Sequence, residues 1–226
     1  MNIRELLKDV EYKVQQGDLS REVTTLIYDS RKAEKDCAFV CISGAVADGH
    51  KFVPQVCEKE PALIVAEHAI EASADTCVVI VDNSRPALAL MSANYFGHPA
   101  EKLKVIGVTG TKGKTTTTYM IKTMLEAAGH KVGLIGTIES VIGDVHTPAL
   151  NTTPESYLLH EDFAKMVEAG CDAVVMEASS QVSSVPSYTF SAESAVMTMD
   201  VSFSETVKVL LTKTQVKLPV LKLNVL

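Results

Sequence analysis

The stretch VIGVTGTKGKTTTTYMIKTMLEAAG (residues 105–129) restricts the fold more than any other part of this sequence. An apolar run leads into a turn that carries Gly110 and Gly113, and an amphipathic run follows and stops at a glycine. Glycine lets the backbone bend sharply and approach another group closely, because it has no Cβ atom. The pattern therefore predicts a buried strand over residues 103–109, a tight turn, and a helix over residues 115–128.

A strand, a glycine-rich turn and a helix in this order direct successive backbone N–H groups toward one point, where the helix dipole adds positive charge. Such a concavity suits a chain of phosphates. Lys114 is expected to contact the β- and γ-phosphates of ATP, and the hydroxyl of Thr115 is expected to bind Mg²⁺. The predicted ATP-binding residues are Gly110, Thr111, Lys112, Gly113, Lys114, Thr115 and Thr116.

The turn departs from the general pattern G-x-x-x-x-G-K-S/T, because Val108 stands where that pattern has its first glycine. The alternative interpretation is therefore an ordinary glycine turn that opens a lysine-bearing surface helix. The buried strand before the turn and the amphipathic helix after it favour the phosphate-binding interpretation.

The segment VVMEAS contains the second candidate group, Glu177, at the end of a hydrophobic strand. A carboxylate there can hold Mg²⁺ opposite Thr115, directly or through water. An acid that ends a strand is often only structural. Because the phosphate-binding turn precedes it in the same predicted sheet, we interpret Lys114 and Glu177 as the catalytic residues, and Thr115 and Glu177 as the metal ligands.

The whole sequence predicts an α/β fold with two domains, residues 1–100 and residues 101–226, joined at the polar segment GHPAEK. The predicted strands cover residues 23–30, 37–43, 62–67, 77–82, 103–109, 131–137 and 171–179. A helix is predicted over residues 85–97, between the last strand of the first domain and the first strand of the second. Repeated strand–helix–strand units predict a parallel sheet that binds ligands at the carboxyl ends of its strands.

Three helical predictions also concern individual residues. Residues 1–14 show a helix-like pattern with four apolar residues on one side: Ile3, Leu6, Leu7 and Val10. The predicted core-facing residues of the helix after the turn are Met120, Ile121, Met124, Leu125 and Ala128. A third helix is predicted to have Thr153 as its capping residue and Pro154 at its first helical position, and to stop at Gly170.

Composition excludes several classes of function. The formal net charge is −7, whereas a protein that coats nucleic acid needs a basic face. The five cysteines form no C-x-x-C pair, which favours free core thiols over a zinc site. No uncharged apolar run approaches the ~20 residues of a membrane helix, and the N-terminus lacks the apolar region of a signal peptide. We therefore expect a cytoplasmic protein.

Four separated motifs together resemble the ATP-dependent Mur ligases of bacterial cell-wall synthesis. These motifs are VTGTKGKTTT, NTTPE, MEASSQ and the amino-terminal segment YDSRKAEKDCAFVCISGAVADGHKFVPQ (residues 28–55). The amino-terminal segment is similar to the nucleotide-sugar domain of the muramoyl-tripeptide synthetase branch of that family. The resemblance covers residues 20–181 and implies a UDP-sugar-binding domain followed by a partial central ATP-binding domain.

The resemblance implies an enzyme that adds a diamino acid, meso-diaminopimelate or L-lysine, to UDP-N-acetylmuramoyl-L-alanyl-D-glutamate with ATP and Mg²⁺. The implied contacts of the UDP-sugar and its peptide are Tyr28, Ser30, the backbone of Ala45, Val46 and Ala47, and Asn151, Thr152, Thr153 and Ser179. Arg31 is expected either to share in that site or to form a surface ion pair. Which diamino acid is used, and the oligomeric state, do not follow from the sequence.

From residue 181 the family pattern is lost: residues 181–205 hold neither the arginine nor the Asp-His pair expected there, and all 12 glycines precede residue 182. The family's carbamylated lysine, magnesium-binding histidine and C-terminal domain cannot be placed. We expect either a shifted reading frame or a true fragment with a new tail. The functional alternatives are a non-catalytic nucleotide- or UDP-sugar-binding module, and a sister enzyme such as the D-alanyl-D-alanine-adding ligase or folylpolyglutamate synthetase.

Overall fold

A computed structural model describes residues 1–44, 48–149, 151–178, 195–199, 207–210 and 222–223. Residue contacts divide the chain into two compact units, Met1–Gly97 and His98–Leu226. The predicted contact residues Ala45, Val46, Ala47 and Ser179 lie outside the described residues, as does most of the tail after residue 181.

In its described residues, the first unit contains a five-stranded sheet and three α-helices. Its elements are α1 (Ile3–Leu6), β1 (Lys13–Gln16), β2 (Leu26–Ile27), β3 (Ala38–Val40), α2 (Val53–Cys57), β4 (Leu63–Ala66), β5 (Cys77–Ile80) and α3 (Ser84–Tyr95). The strand order is β1-β5-β4-β3-β2. Strands β2 to β5 are parallel, as the alternation of strands and helices predicts, and β1 pairs antiparallel with β5 at the edge.

The structure of the amino terminus differs from the helix that the pattern of residues 1–14 predicts. Helix α1 ends at Leu6, and Asp9 has a φ of 62°, which an α-helix cannot include. The chain then continues into β1. The apolar residues of α1 nevertheless face the core, because Ile3 and Leu6 are both 0% exposed.

The second unit contains a larger mixed sheet. Its elements are β6 (Lys104–Gly110), α4 (Lys114–Ala127), β7 (Val132–Ile135), β8 (Glu139–Ile142), β9 (Val145–Pro148), α5 (Ser156–Glu168), β10 (Ala173–Glu177), β11 (Ala195–Met199), β12 (Val207–Leu210) and β13 (Lys222–Leu223). The strand order is β13-β12-β11-β6-β10-β7-β8-β9. The central strands β11, β6, β10 and β7 are parallel. The outer strands are antiparallel, and the sequence patterns predicted neither β8 nor β9. No helix in the described ranges is long and apolar enough to cross a membrane.

Helices α4 and α5 cover opposite faces of this sheet. Val174 and Met176 of β10 belong to a core with Leu159, Phe163 and Met166 of α5. The alternate residues of β10 belong to a second core, against which three residues of α4 pack: Tyr119, Ile121 and Leu125. Successive side chains of a strand point to opposite faces, so β10 supplies both cores and is buried along its whole length.

The predicted core face of α4 is partly wrong. Ile121 and Leu125 pack on the sheet as predicted, but the side chains of Met120 and Met124 are 60% and 68% exposed. Thr118 is fully buried instead. The helix turns the face with Thr118, Ile121 and Leu125 to the sheet, at the i, i+3, i+7 spacing of one helix face.

The predicted start of α5 is also wrong. The helix begins at Ser156 with Glu155 as its capping residue, so Thr153 and Pro154 lie before it. The hydroxyl of Thr153 donates to the backbone oxygen of Glu177 at 3.1 Å instead of capping α5. The predicted stop is confirmed, because Gly170 follows the helix with a φ of 78°.

The two faces of the second sheet give a direct test of the core. Phe163→Ala removes a side chain that is 1% exposed, and we expect a loss of about 3–5 kcal/mol in the free energy of unfolding. Met124→Ala is the control, and we expect a change within about 0.5 kcal/mol because its side chain is largely in water. Urea denaturation measures both. Equal losses in the two variants would contradict the described orientation of α4 and α5.

The buried ring of His160 makes the free energy of unfolding depend on pH. Its ring is 2% exposed and packs edge-to-face on Phe163. Burial, with a smaller contribution from the charge of His98, lowers the pKa of His160 from 6.5 to about 4. Between pH 6.5 and pH 4 the unfolded chain therefore binds a proton that the folded protein excludes, and stability falls as the pH falls.

The loss attributable to His160 over that interval is about 3 kcal/mol, and the contribution is fully present above pH 6.5. We expect His160→Met, which places an uncharged side chain in the same core, to flatten this part of the pH profile of unfolding free energy. Identical pH profiles for the wild type and the variant would show that His160 is protonated equally in both states.

Candidate functional site

The predicted phosphate-binding turn lies between β6 and α4. Gly113 precedes the helix with a φ of 80°, in the left-handed region that favours glycine. Gly110, at the end of β6, has a φ of 141°. Thr111 and Lys112 between them are exposed. The backbone N–H groups of Lys114, Thr115 and Thr116 precede that of Thr117, which donates to the oxygen of Gly113, and at a helix start such groups are available to an anion.

The side chain of Lys114 reaches back across the turn to Gly110. The Nζ atom of Lys114 donates to the backbone oxygen of Gly110 at 2.8 Å, which places an ammonium group at the start of the helix. Thr115 is half-buried, and its backbone oxygen accepts from the hydroxyl of Thr118. Thr116 is exposed. The turn therefore presents backbone donors, an ammonium group and a threonine hydroxyl within one short segment.

Glu177 ends the strand next to the one that enters the turn. In the parallel pairing of β10 with β6, Glu177 is opposite Val108, two residues before Gly110. The N–H of Ala178 donates to the oxygen of Val108 at 2.8 Å and continues the pairing. Adjacent strands are about 4.8 Å apart, so the carboxylate and the turn lie at the same edge of the sheet.

The carboxylate of Glu177 is buried and held by one residue. It is 1% exposed. Its Oε1 atom accepts from the backbone N–H of Thr137 at 2.9 Å, and its Oε2 atom accepts from the hydroxyl of Thr137 at 3.1 Å. A Cβ atom on Gly136 would lie 2.8 Å from Oε1, so the glycine leaves room for the carboxylate in this position.

Within the described ranges no lysine, arginine or histidine side chain forms an ion pair with Glu177. Burying an unpaired carboxylate costs several kcal/mol, and buried charges in proteins are normally paired or bound to a metal ion. The site therefore favours a cation. Oxygen ligands of this kind, a carboxylate and a hydroxyl, are those that Mg²⁺ prefers.

Two residues of the NTTPE motif lie beside this carboxylate. The hydroxyl oxygen of Thr152 is 3.2 Å from that of Thr137, and the hydroxyl of Thr153 donates to the backbone oxygen of Glu177. Asn151 precedes them and is exposed. The structure thus brings Thr152 and Thr153 to Glu177, as two of the predicted substrate contacts.

Sequence reasoning missed the residue that connects these groups, Thr137. It follows β7 in the segment LIGT, at the carboxyl end of a predicted parallel strand. The rule that ligands bind at such ends was the signal that could have found it.

The sequence analysis also gave no role to Tyr119 of α4, which contacts Glu139 on the neighbouring β8–β9 hairpin. The hydroxyl of Tyr119 donates to Oε1 of Glu139 at 2.6 Å, and His146 contacts Oε2 at 2.8 Å. Burial, the hydrogen bond to Glu139 and the negative charges of Glu139 and Glu177 raise the pKa of Tyr119 to about 12. Tyr119 therefore stays protonated at neutral pH and can act as a hydrogen-bond donor to Glu139.

In the first unit, Tyr28 and Ser30 directly follow β2. Ser30 begins a 3₁₀ helix, Ser30–Lys32, that Asp29 caps. Arg31 forms an ion pair with Asp29 at 2.6 Å while its side chain is 85% exposed. The surface ion pair, one of the two expectations for Arg31, is what the structure shows, and such a pair stabilises little.

The other parallel strands of the first sheet end at a hydrogen-bonded polar cluster. Glu67, after β4, accepts from the hydroxyl of Ser43 at 2.7 Å and from the N–H and hydroxyl of Ser84 at 2.8 and 2.7 Å. Burial raises the pKa of Glu67, but these hydrogen bonds outweigh it and leave the pKa below its usual value. His50 accepts from the N–H of Glu67 and therefore donates from its other ring nitrogen to Asp48. Hydrogen bonds thus connect the segments that follow β3, β4 and β5 at this edge of the sheet.

Comparison with known proteins adds three findings. Residues 108–199 match the Mur ligase middle domain, so the similarity continues past residue 181, where the motifs predicted its end. Two relatives, each named UDP-N-acetylmuramoyl-L-alanyl-D-glutamate--2,6-diaminopimelate ligase, come from Clostridium perfringens (strain 13 / Type A) and Clostridium tetani (strain Massachusetts / E88). The first is 46% identical over 180 residues, 80% of this chain and 37% of the relative. The second is 46% identical over 183 residues, 80% of this chain and 38% of the relative.

A solved structure with the same name has a TM-score of 0.64 and 20% sequence identity, and the match covers 80% of this chain and 36% of that chain. At this identity the likeness shows a shared fold. The chain spans a little over a third of the length of the relatives that it matches, 37% and 38%.

Proposed function

The chain belongs to the Mur ligase family, and we propose that it carries the nucleotide-binding and UDP-sugar-binding elements of a peptidoglycan-synthesis ligase. That ligase joins a diamino acid to the D-glutamate carboxylate of UDP-N-acetylmuramoyl-L-alanyl-D-glutamate with ATP. The names of the relatives favour 2,6-diaminopimelate over L-lysine as the amine. The observation that carries the proposal is the buried Glu177 carboxylate, which lies beside the phosphate-binding turn without a cationic partner among the described side chains.

The chemistry explains why such a turn is needed. A carboxylate is a poor electrophile, so one of its oxygens first attacks the γ-phosphorus of ATP, and ADP leaves. The resulting acyl phosphate has a good leaving group. The amine then attacks the acyl carbon through a tetrahedral intermediate, and inorganic phosphate leaves. Phosphoryl transfer demands alignment and charge neutralisation more than covalent help from the protein.

The residues of the second unit fit these demands. The backbone N–H groups from Gly110 to Thr116 and the ammonium group of Lys114 bind the phosphates. Thr115 and Glu177 hold Mg²⁺, which neutralises phosphate charge when it is bound. Each carboxylate oxygen of Glu177 accepts a single hydrogen bond from Thr137 and so keeps capacity for a cation.

The substrate contacts are proposed for two places, one in each unit. Tyr28 and Ser30 contact the UDP-sugar at the carboxyl edge of the first sheet, beside the polar cluster around Glu67. Asn151, Thr152 and Thr153 lie at the γ-phosphate end of the second unit, next to Glu177. The undescribed residues Ala45, Val46, Ala47 and Ser179 stay predictions from the resemblance. No observation favours the binding-module or sister-enzyme alternatives.

Lys114→Ala tests the phosphate-binding turn. We expect the affinity for ATP to fall about 10- to 100-fold, because one charge-assisted hydrogen bond to phosphate is lost. Lys165→Ala is the matched control, since Lys165 pairs with Glu161 on the exposed side of α5. Isothermal titration calorimetry of the 226-residue chain measures both. Unchanged ATP affinity in Lys114→Ala would remove this lysine from the site.

Ser30→Ala tests the UDP-sugar contact. We expect the affinity for UDP-N-acetylmuramoyl-L-alanyl-D-glutamate to fall about 5-fold, the effect of one lost hydrogen bond worth about 1 kcal/mol. Ser20→Ala is the control, because Ser20 lies in an exposed turn where its hydroxyl contacts Asp18. The same calorimetric titration applies. If Ser30→Ala binds the UDP-dipeptide as the wild type does, Ser30 is not a contact.

A further inference from the structure

We propose that Thr137 is the positioning residue of the cation site: it fixes the Glu177 carboxylate beside the phosphate-binding turn and connects it to the substrate-side Thr152. The inference rests on the proposed function, because it takes Glu177 as the group that holds the divalent cation. It assigns a role to a residue that none of the four family motifs contains.

Thr137 holds both oxygens of one carboxylate. Its backbone N–H and its hydroxyl donate to Oε1 and Oε2, at 2.9 and 3.1 Å. Two donors on one residue fix the rotation of the carboxylate about the Cγ–Cδ bond of Glu177. A single donor would leave that rotation free. The missing Cβ of Gly136 allows this approach. The carboxylate is therefore oriented before any cation binds.

The direction of the hydrogen bonds follows from proton counting. A threonine hydroxyl has one hydrogen, and an ionised carboxylate can only accept. The hydroxyl of Thr137 therefore donates to Glu177 and accepts from Thr152, whose oxygen lies 3.2 Å away. The three groups form a directed chain, Thr152 to Thr137 to Glu177. Hydrogen bonds in such a chain polarise one another.

Thr137 supplies no positive charge, so it orients the Glu177 carboxylate without competing with a cation. Partners that orient a metal ligand typically contribute 10- to 100-fold to metal affinity. Thr137 is itself exposed, at the surface end of β7, so replacing its hydroxyl does not disturb a packed core. Valine has the same shape, keeps the backbone N–H and lacks only the hydroxyl hydrogen bonds.

The test compares Thr137→Val with Thr137→Ser and with Thr147→Val, a matched control on the exposed strand β9. Calorimetry measures the affinity of each 226-residue chain for ATP with excess Mg²⁺ and again with EDTA. We expect Thr137→Val to bind Mg-ATP roughly 10-fold more weakly and to bind metal-free ATP within about 2-fold of the wild type. Thr137→Ser and Thr147→Val should match the wild type in both titrations.

Glu177→Gln separates this inference from the proposed function. If Glu177 holds the cation, this variant binds Mg-ATP more weakly and metal-free ATP more tightly, because a negative charge near the phosphates is removed. If Glu177→Gln leaves Mg-ATP affinity unchanged, or the wild type binds no Mg-ATP, the cation role fails and the inference fails with it. If Glu177→Gln behaves as expected while Thr137→Val matches the wild type, only the inference is overturned.

Two further outcomes concern the hydrogen-bonded chain. Equal weakening of Mg-ATP and metal-free ATP by Thr137→Val would indicate a general structural loss and overturn the positioning role. Thr152→Val should weaken Mg-ATP binding less than Thr137→Val does, and the double variant should be no weaker than Thr137→Val alone, because both act through one chain. Full additivity of the two effects would show that Thr152 does not act through Thr137.

Discussion

A buried negative charge is the constraint on which the candidate site depends. Glu177 is 1% exposed, and its hydrogen bonds come from the neutral groups of Thr137. Neutral donors orient a carboxylate but do not cancel its charge, so a cation is needed to offset the cost of burial. The parallel pairing of β10 with β6 places that carboxylate beside the turn for which we propose phosphate binding. In the proposed function, the cation that balances Glu177 is the one that accompanies the nucleoside triphosphate.

The sheet of the second unit makes this juxtaposition possible. Strand β10 is buried on both faces by α4 and α5, and it pairs in parallel with β6 on one side and β7 on the other. The register of this pairing determines which residue ends the strand next to the turn. Stability of the sheet and placement of Glu177 thus both depend on the pairing of β10 with its neighbouring strands.

Much of this could be predicted from the sequence, because the decisive features are local. The turn with Gly110 and Gly113, the helix after it and the strand that ends at Glu177 all follow from short apolar periods and glycine positions. The exposed face of α4 and the start of α5 could not be predicted. Met120 and Met124 fit the apolar period as well as Ile121 does, yet their side chains are exposed. Thr153 does not cap α5, because its hydroxyl donates to the backbone oxygen of Glu177. Both outcomes depend on contacts between residues distant in sequence.

The central claim is that Glu177 holds the divalent cation of the bound nucleotide. Electron–nuclear double resonance measures it directly, with Mn²⁺, a non-hydrolysable ATP analogue and protein carrying ¹³C in its glutamate carboxyl groups. If Glu177 holds the ion, the wild type shows a ¹³C coupling to Mn²⁺ that disappears in Glu177→Gln while the ³¹P couplings of the phosphates persist. Phosphorus couplings without any ¹³C coupling in the wild type would contradict it.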